Sequence, residues 1–269
     1  MNYIWEPKPL PSEATIEKLR RELHLSQTTA TLLAQRGITT YDVAMHFFSP
    51  SLASLHDPFL MKDMHKAVAR LSTAINTQEK ILIYGDYDVD GTSAVSLLYR
   101  YLSNHTSLLY TYIPDRYTEG YGISFQGIDY AASKGCSLII ALDCGIKAID
   151  KVQYATDKGI DFIIGDHHRP DAQVPDAVAV LNPQQADCLY PYKELCGCGI
   201  GFKLVQAYQQ HLSRPFEEIR PLLDLVAIAT AADIVAMNGE NRTLTYFGLE
   251  VINQQPSAGV SALLGEIGR

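Results

Sequence analysis

No run of apolar residues in this chain reaches the roughly 20 positions that a helix needs to cross a bilayer. The opening stretch, MNYIWEPKPLPSEATIEKLRRELHL, also lacks the charged-then-apolar layout of a secretion signal. A cytoplasmic address with no membrane partner is the expectation. Cysteine is scarce: five residues, at positions 136, 144, 188, 196 and 198, suit reduced thiols better than a disulfide framework. Cys196 and Cys198 form C-x-C without the second pair that a zinc finger requires, so a structural zinc is not expected. Positive charge is in deficit too, and a formal net charge of −8 argues against a generic nucleic-acid coat, whose phosphate contacts leave a basic footprint. An enzyme acting on phosphates is not excluded. Carboxylates that hold divalent cations count as negative in the sum, although the bound metal offsets them locally.

The chain does hold enough apolar material for a core, since 269 residues at 47% hydrophobic and 19% charged suit one large or two modest globular domains. Residues 1–55 read as a small helical lead-in. Ser12 stands where an N-cap would for EATIEKLRREL, QTTATLLAQRG ends at Gly37 as helices end, and YDVAMHFFSPSL breaks at Pro50. From about residue 80 the text alternates: KILIYG, TSAVSLLYRYLSNH, SLLYTYIP, SFQGIDYAASKG, CSLIIALD, IKAIDKVQYATDKG, DFIIGD. Short, near-continuous apolar strands between amphipathic helices predict an α/β fold, a doubly wound, mostly parallel sheet with helices on both faces.

In such sheets ligands bind at the carboxyl ends of the strands. Asp86, Asp88 and Asp90 follow the strand ILIY, Asp143 ends SLIIAL, and GDHH, residues 165–168, follows DFII. Three strand ends thus send acids and imidazoles toward one rim. Carboxylates at alternate positions repel one another, and a divalent cation among them removes the conflict. The competing explanation for DYDVD is a solvated acidic turn. The neighbouring strand ends weigh against it. An EF-hand also opens D-x-D-x-D, and Gly91 fills its sixth place counted from Asp86, but its twelfth is Leu97 and a strand precedes the loop. Mixed carboxylate and imidazole donors suit Mn²⁺ first and Mg²⁺ next, with Zn²⁺ or Fe²⁺ open. His167 and His168, straight after Asp166, read as functional, not as core histidines. Asp233 interrupts the apolar segment DLVAIATAADIVAM and is either a ligand or the cap of a following helix.

Weaker candidates surround these. Arg116, in PDRYTEGYG, and Arg169, next to His168, either clamp a phosphate or are ordinary surface arginines. CGCGIGFKL sets Gly197 and Gly199 before an apparent helix, where backbone N–H groups could cradle a phosphate, or where a turn simply needs glycine. It is no dinucleotide fingerprint, because the third glycine position is Phe202. Sixteen tyrosines either stack bases or pack in the core.

DYDVDG, LDCG, GDHH and the Asp233 segment, in this order and at these separations, resemble the four motifs of the DHH phosphoesterase superfamily. RGITTYDVAMHFFSPSLASLHDPFLMKDMHKAV, IPDRYTEGYGIS and CGCGIGFKL are similar, more narrowly, to its bacterial single-strand-specific exonucleases, so the likeness runs from about residue 30 to the C-terminus. The resemblance implies a two-metal phosphodiesterase using Mn²⁺ or Mg²⁺. By motif, Asp88 and Asp90 bind metals, Asp143 bridges them, His167 and Asp233 complete the two shells, and Asp86 is an additional acid. His168 faces the substrate phosphate. The resemblance further implies 5′-to-3′ digestion of single-stranded DNA in repair and recombination, single-strand-binding protein and repair helicases as partners, and a monomer. Proteins of that branch carry a DHH-associated domain and an OB-type domain after the catalytic one, and SALLGEIGR resembles the text before their connecting helix. The expected organisation is therefore a helical lead-in over 1–55, a catalytic α/β domain over 56–240 and the start of a linker over 241–269. Two other readings stay open: action on short oligonucleotides, cyclic dinucleotides or pyrophosphate, and a non-catalytic scaffold, against which the filled ligand positions argue.

Overall fold

The computed structural model describes Ile4 and residues 6–268, which fall into two compact units, residues 1–54 and 55–269. In the first unit three helices, α1 (Glu13–Leu23), α2 (Gln27–Gln35) and α3 (Tyr41–Phe48), begin at Ser12, Ser26 and Thr40. Each of those hydroxyls accepts a hydrogen bond from the backbone N–H three residues on, which satisfies one of the donors a helix start leaves free. Ile16, Leu19, Leu33 and Ala44 close a small apolar cluster of their own.

The second unit is wound around one sheet. It runs α4 (Met64–Asn76), β1 (Ile81–Gly85), α5 (Val89–Leu102), β2 (Leu109–Tyr112), α6 (Phe125–Lys134), β3 (Leu138–Leu142), α7 (Ile149–Asp157), β4 (Asp161–Gly165) and β5 (Ala179–Leu181). Four helices follow: α8 (Gly197–His211), α9 (Leu223–Ala232), α10 (Gly239–Gln254) and α11 (Ala258–Glu266). All strands are parallel, in the order β2-β1-β3-β4-β5. The doubly wound α/β architecture read from the sequence is what forms.

Strand residues alternate between two buried faces. Leu82, Tyr84, Ile139, Ala141, Phe162 and Ile164 pack with Ile128 and Ala131 of α6 and Val152 and Ala155 of α7. The residues between them, among them Ile81, Ile83, Ile140 and Ile163, are equally buried beneath α5, α8 and α4. A strand covered on both faces has no polar face to display, which is why these segments read as unbroken apolar runs. Strand β5 was not legible, because three residues between Pro175 and Pro183 carry no measurable period. The winding reverses direction between β1 and β3, and the crevice at such a switch point is where open α/β sheets place their ligands. No helix among the described residues is long and apolar enough to cross a membrane.

Candidate active site

Strand β1 ends at Gly85, and the chain turns within three residues into α5. Asp88 is the N-cap of that helix, its Oδ1 accepting from the Gly91 N–H at 3.0 Å. Gly91 lets the turn fold back on itself, since a Cβ there would lie 2.5 Å from the Asp86 carbonyl oxygen. Asp86 is thereby buried at the strand end, and Asp90, in the first turn of α5, is buried beside it.

Asp143 follows β3 with φ at +61°, a left-handed conformation that aspartate and asparagine tolerate better than other side-chain-bearing residues. Backbone strain of this kind clusters at functional sites. The Asp143 N–H donates to the Gly165 carbonyl at 2.8 Å, so the left-handed residue stays tied to the adjacent strand end. His167, two residues past β4, presents Nε2 to three carboxylates: Asp143 Oδ1 at 3.2 Å, Asp233 Oδ2 at 3.6 Å and Asp90 Oδ2 at 3.8 Å. Asp233 reaches this point as the C-cap of α9. It does not cap a following helix, because α10 begins at Gly239 behind Asn238.

The side chains fall into sets whose donor atoms lie within 4.8 Å of one another: Asp86, Asp88 and Asp143; Asp90, His167 and Asp233; and Asp143, His167 and His168. Asp143 borders both of the first two. Both oxygens of Asp86, both of Asp143, Oδ2 of Asp233 and Nε2 of His167 are buried without a hydrogen-bond partner. Each such orphan costs on the order of 1–3 kcal/mol in a folded protein, so their clustering at one rim is not a packing solution. Burial, with Asp90 and Asp88 adding like charge, pushes the Asp143 carboxyl up to about 10. Burial also raises Asp86 and Asp233. Oxygen and imidazole donors left bare in this way fit divalent cations; Asp86, Asp143, His167 and Asp233 would hold them together with Asp88 and Asp90, whose carboxylates also accept backbone N–H bonds.

His168 is placed differently. Its Nδ1 lies 2.7 Å from Asp166 Oδ1, which also accepts the His168 backbone N–H, while Asp166 Oδ2 accepts from Ile146. Burial works against charge on Asp166, yet the bonds to His168 outweigh it and keep that carboxyl below its usual range. The same bond raises His168. Its Nε2 stands 3.1 Å from the Tyr121 hydroxyl. Tyr121 meets Tyr87 edge to face, and the exposed Arg116 guanidinium lies 5.1 Å over the Tyr87 ring, so a cation and two phenols border the same rim. Arg169 is exposed and pairs with no carboxylate among the described residues.

The glycine cradle is a correction. Gly197 N–H donates to Asp90 Oδ2 at 2.6 Å and Cys198 N–H to Asp90 Oδ1 at 2.8 Å, while Gly199 N–H donates to the Cys196 sulfur. The start of α8 is already neutralised by a buried carboxylate, which leaves neither glycine N–H for a phosphate. Glycine at 197 answers instead to close approach, since a Cβ there would fall 2.4 Å from Asp143 Cβ. All five cysteines are buried and free. Two residues escaped the sequence reading as parts of the site: Asp166, visible only as an acid two places before His168, and Tyr121, which no local pattern marks.

Fold and site together define a class, parallel α/β proteins that gather carboxylates and imidazoles for cations at successive strand ends. Within it, the DHH family, N-terminal domain, matches residues 80–230, and the chain belongs to that family. The single-stranded-DNA-specific exonuclease RecJ of Bacillus subtilis is 40% identical over 262 residues, covering 96% of this chain and 33% of the relative. A crystal structure of RecJ from Thermus thermophilus in complex with Mn²⁺ superposes with a TM-score of 0.81 at 26% identity, over 96% of this chain and 36% of that one. Another, of exonuclease RecJ bound to manganese, gives 0.72 at 29% identity, over 81% and 54%. The chain thus spans about a third of the length of the Bacillus relative.

Proposed function

We propose that this chain carries the catalytic centre of a metal-dependent exonuclease that hydrolyses single-stranded DNA from its 5′ end and releases 5′ nucleotides in DNA repair and recombination. The observation that carries the reading is the cluster of buried, partnerless donor atoms on Asp86, Asp143, His167 and Asp233, in which Asp143 shares one donor set with Asp86 and Asp88 and another with His167. The relatives named as single-stranded-DNA-specific exonucleases, and the RecJ structures solved with manganese, support it. Asp86, Asp88 and Asp143 would hold one cation, and Asp90, His167 and Asp233 the other, with Asp143 between them; Mn²⁺ is the expected ion and Mg²⁺ its substitute. When bound, such a pair acidifies the attacking water and neutralises charge that builds on the phosphoryl group.

The chain's own residues do the rest. Asp90 anchors α8 beside Asp143 through two backbone N–H bonds, which fixes the spacing of the two groups. Asp166 holds the His168 ring by Nδ1 and so sets Nε2 beside the Tyr121 hydroxyl, where, when protonated, it would donate to a phosphate oxygen in place of that hydroxyl. Arg116 supplies a cation on the rim for the backbone of the strand, and Arg169, exposed beside His168, is free to do the same. Single-strand-binding protein and repair helicases belong to this reading as the partners that deliver single strands.

Digestion of 5′-labelled and 3′-labelled single-stranded oligonucleotides, with and without Mn²⁺ and beside a duplex control, tests the proposal. Mn²⁺-dependent loss of the 5′ label from single strands alone is expected. Degradation of the duplex at the same rate, or release of the 3′ label first, would overturn it. Asp166→Asn should lower turnover roughly tenfold while leaving Mn²⁺ affinity in place, because it frees the His168 ring without removing a donor from either metal group. Equal turnover in that variant would remove His168 from the mechanism as drawn.

A further inference from the structure

The parallel sheet has two edges, and the chain treats them differently. At one, Val180 of β5 has both backbone groups taken by side chains: its N–H donates to Asp63 Oδ2 at 3.3 Å and its carbonyl accepts from Gln185 Nε2 at 2.9 Å. All three residues of that strand are buried. At the other edge, β2 pairs only with β1. The Ile81 N–H donates to the Leu108 carbonyl at 2.9 Å, so by the alternation of a parallel ladder Tyr110 also bonds toward β1, while Leu109 and Thr111 turn their N–H and C=O groups outward. No side chain among the described residues closes them. A groove of about 510 Å³ runs along this edge, between Val95 and Tyr99 of α5 and Tyr130 of α6, and its lining holds no charged side chain. Between His105 and Asp115 the chain carries no charge either. Exposed edge strands are ordinarily defended by charge, proline, a bulge or cover. Strand β5 has cover; β2 has none of these.

We propose that β2 pairs antiparallel with β2 of a second copy of this chain, joining two five-stranded sheets into one, in place of the monomer that the resemblance implies. Symmetry selects the occupant. Tyr110 lies midway between the two outward residues, so a two-fold axis through it sets Leu109 opposite Thr111 of the second copy, and Thr111 opposite Leu109. Each of those opposed pairs exchanges two backbone hydrogen bonds, and Tyr110 meets its own copy as the close, unbonded pair between them. Like charges opposed across a strand pair are destabilising, and an uncharged edge brings none against itself. The same lack of charge gives a foreign partner nothing to recognise beyond backbone. Because the paired strands run in opposite directions, the carboxyl ends of the two sheets, with their cation donors, point to opposite ends of the joined sheet. Pairing therefore leaves both sites open, and the proposal stands apart from the exonuclease reading.

Sedimentation equilibrium of the 269-residue chain is the test, run from about 1 µM to about 300 µM to bracket the affinity of an interface at the small end of the stable range. The average mass is expected to climb from 29.8 kDa toward twice that value. Thr111→Pro keeps the bonds to β1, since the lost N–H faces away from that strand, and should raise the midpoint concentration at least tenfold. Tyr110→Cys reads the register independently of that fold. An unbonded antiparallel pair holds its Cα atoms about 4.5 Å apart, within disulfide reach, so glutathione disulfide should convert this variant to a covalent dimer. Thr111→Cys, whose own copy lies two places along the ladder and beyond that reach, should remain a monomer on a non-reducing gel. The five native cysteines are buried and add no background. A midpoint that Thr111→Pro leaves in place, or cross-linking of Thr111→Cys as readily as Tyr110→Cys, would overturn the proposal. Monomers at every concentration would overturn it too and leave the edge to a strand of another protein.

Discussion

Asp143→Asn should reduce metal-dependent hydrolysis by more than about 1,000-fold, a loss of roughly 4 kcal/mol of transition-state stabilisation, and yet raise the melting temperature of the metal-free chain. Both effects come from one carboxylate. Its oxygens are buried and partnerless, it borders both cation groups, and burial with the charges of Asp90 and Asp88 already drives its carboxyl up to about 10. Asparagine removes the cost of keeping that carboxyl protonated in the metal-free fold, and it keeps the side-chain shape and the left-handed backbone at φ +61°, which alanine would strain. A gain of about 1 kcal/mol would appear as a rise of roughly 2–4 °C for a unit of this size. The sign with pH follows. A carboxyl whose folded value lies above its unfolded one stabilises the fold fully below the unfolded value and loses that contribution as pH rises toward the folded one. Metal-free wild type should therefore lose stability between about pH 5 and about pH 8 more steeply than Asp143→Asn. Calorimetry in chelator and again in Mn²⁺ checks both arms: the wild type should gain stability from Mn²⁺ and the variant should not. An undiminished Mn²⁺ shift in the variant would mean that Asp143 is not the shared ligand.

The strands were legible because burial on both faces leaves a run of apolar residues, as in Leu138–Leu142, and the acids were legible because Asp86, Asp88 and Asp90 sit at alternate places directly after one such run. Strand ends of a parallel sheet share a rim, so DYDVDG, LDCG and GDHH could be gathered without coordinates. What stayed hidden depends on contacts between distant segments. Asp90 and Gly197 are 107 residues apart, and only the packing of α5 against α8 reveals that the glycine N–H is spent on the carboxylate. Read locally, the same glycines look like a vacant anion site. Asp233 was ambiguous for the same reason, since whether an acid in an apolar segment ends one helix or starts another is decided by where the next helix begins. The Asp166 bond to His168 spans only two residues, but a side-chain rotamer decides it and no spacing rule does.

That long-range contact makes Gly197→Ala the second large effect. An added Cβ would lie 2.4 Å from Asp143 Cβ, 2.7 Å from its Cα and 2.7 Å from Oδ1, distances that real atoms do not share. Something must move, and each candidate is committed. Asp143 is held by its N–H bond to Gly165 in a conformation few residues adopt, and α8 cannot retreat without stretching the bonds from Gly197 and Cys198 to Asp90. Either retreat shifts a carboxylate of one cation group relative to the other. The expected cost is about 1–3 kcal/mol of stability, as for overpacking elsewhere, together with a fall of roughly 100-fold in Mn²⁺ affinity. Gly199→Ala supplies the contrast on the same helix. Its Cβ would meet nothing closer than Leu195 Cδ2 at 3.4 Å, and alanine is favoured over glycine within a helix by roughly 0.5–1 kcal/mol. Denaturant unfolding and Mn²⁺ titration of the pair should show Gly199→Ala equal to or more stable than wild type with its metal affinity unchanged. If Gly197→Ala bound Mn²⁺ as tightly as wild type, the spacing held by Asp90 and α8 would not be what keeps Asp143 in register with both groups.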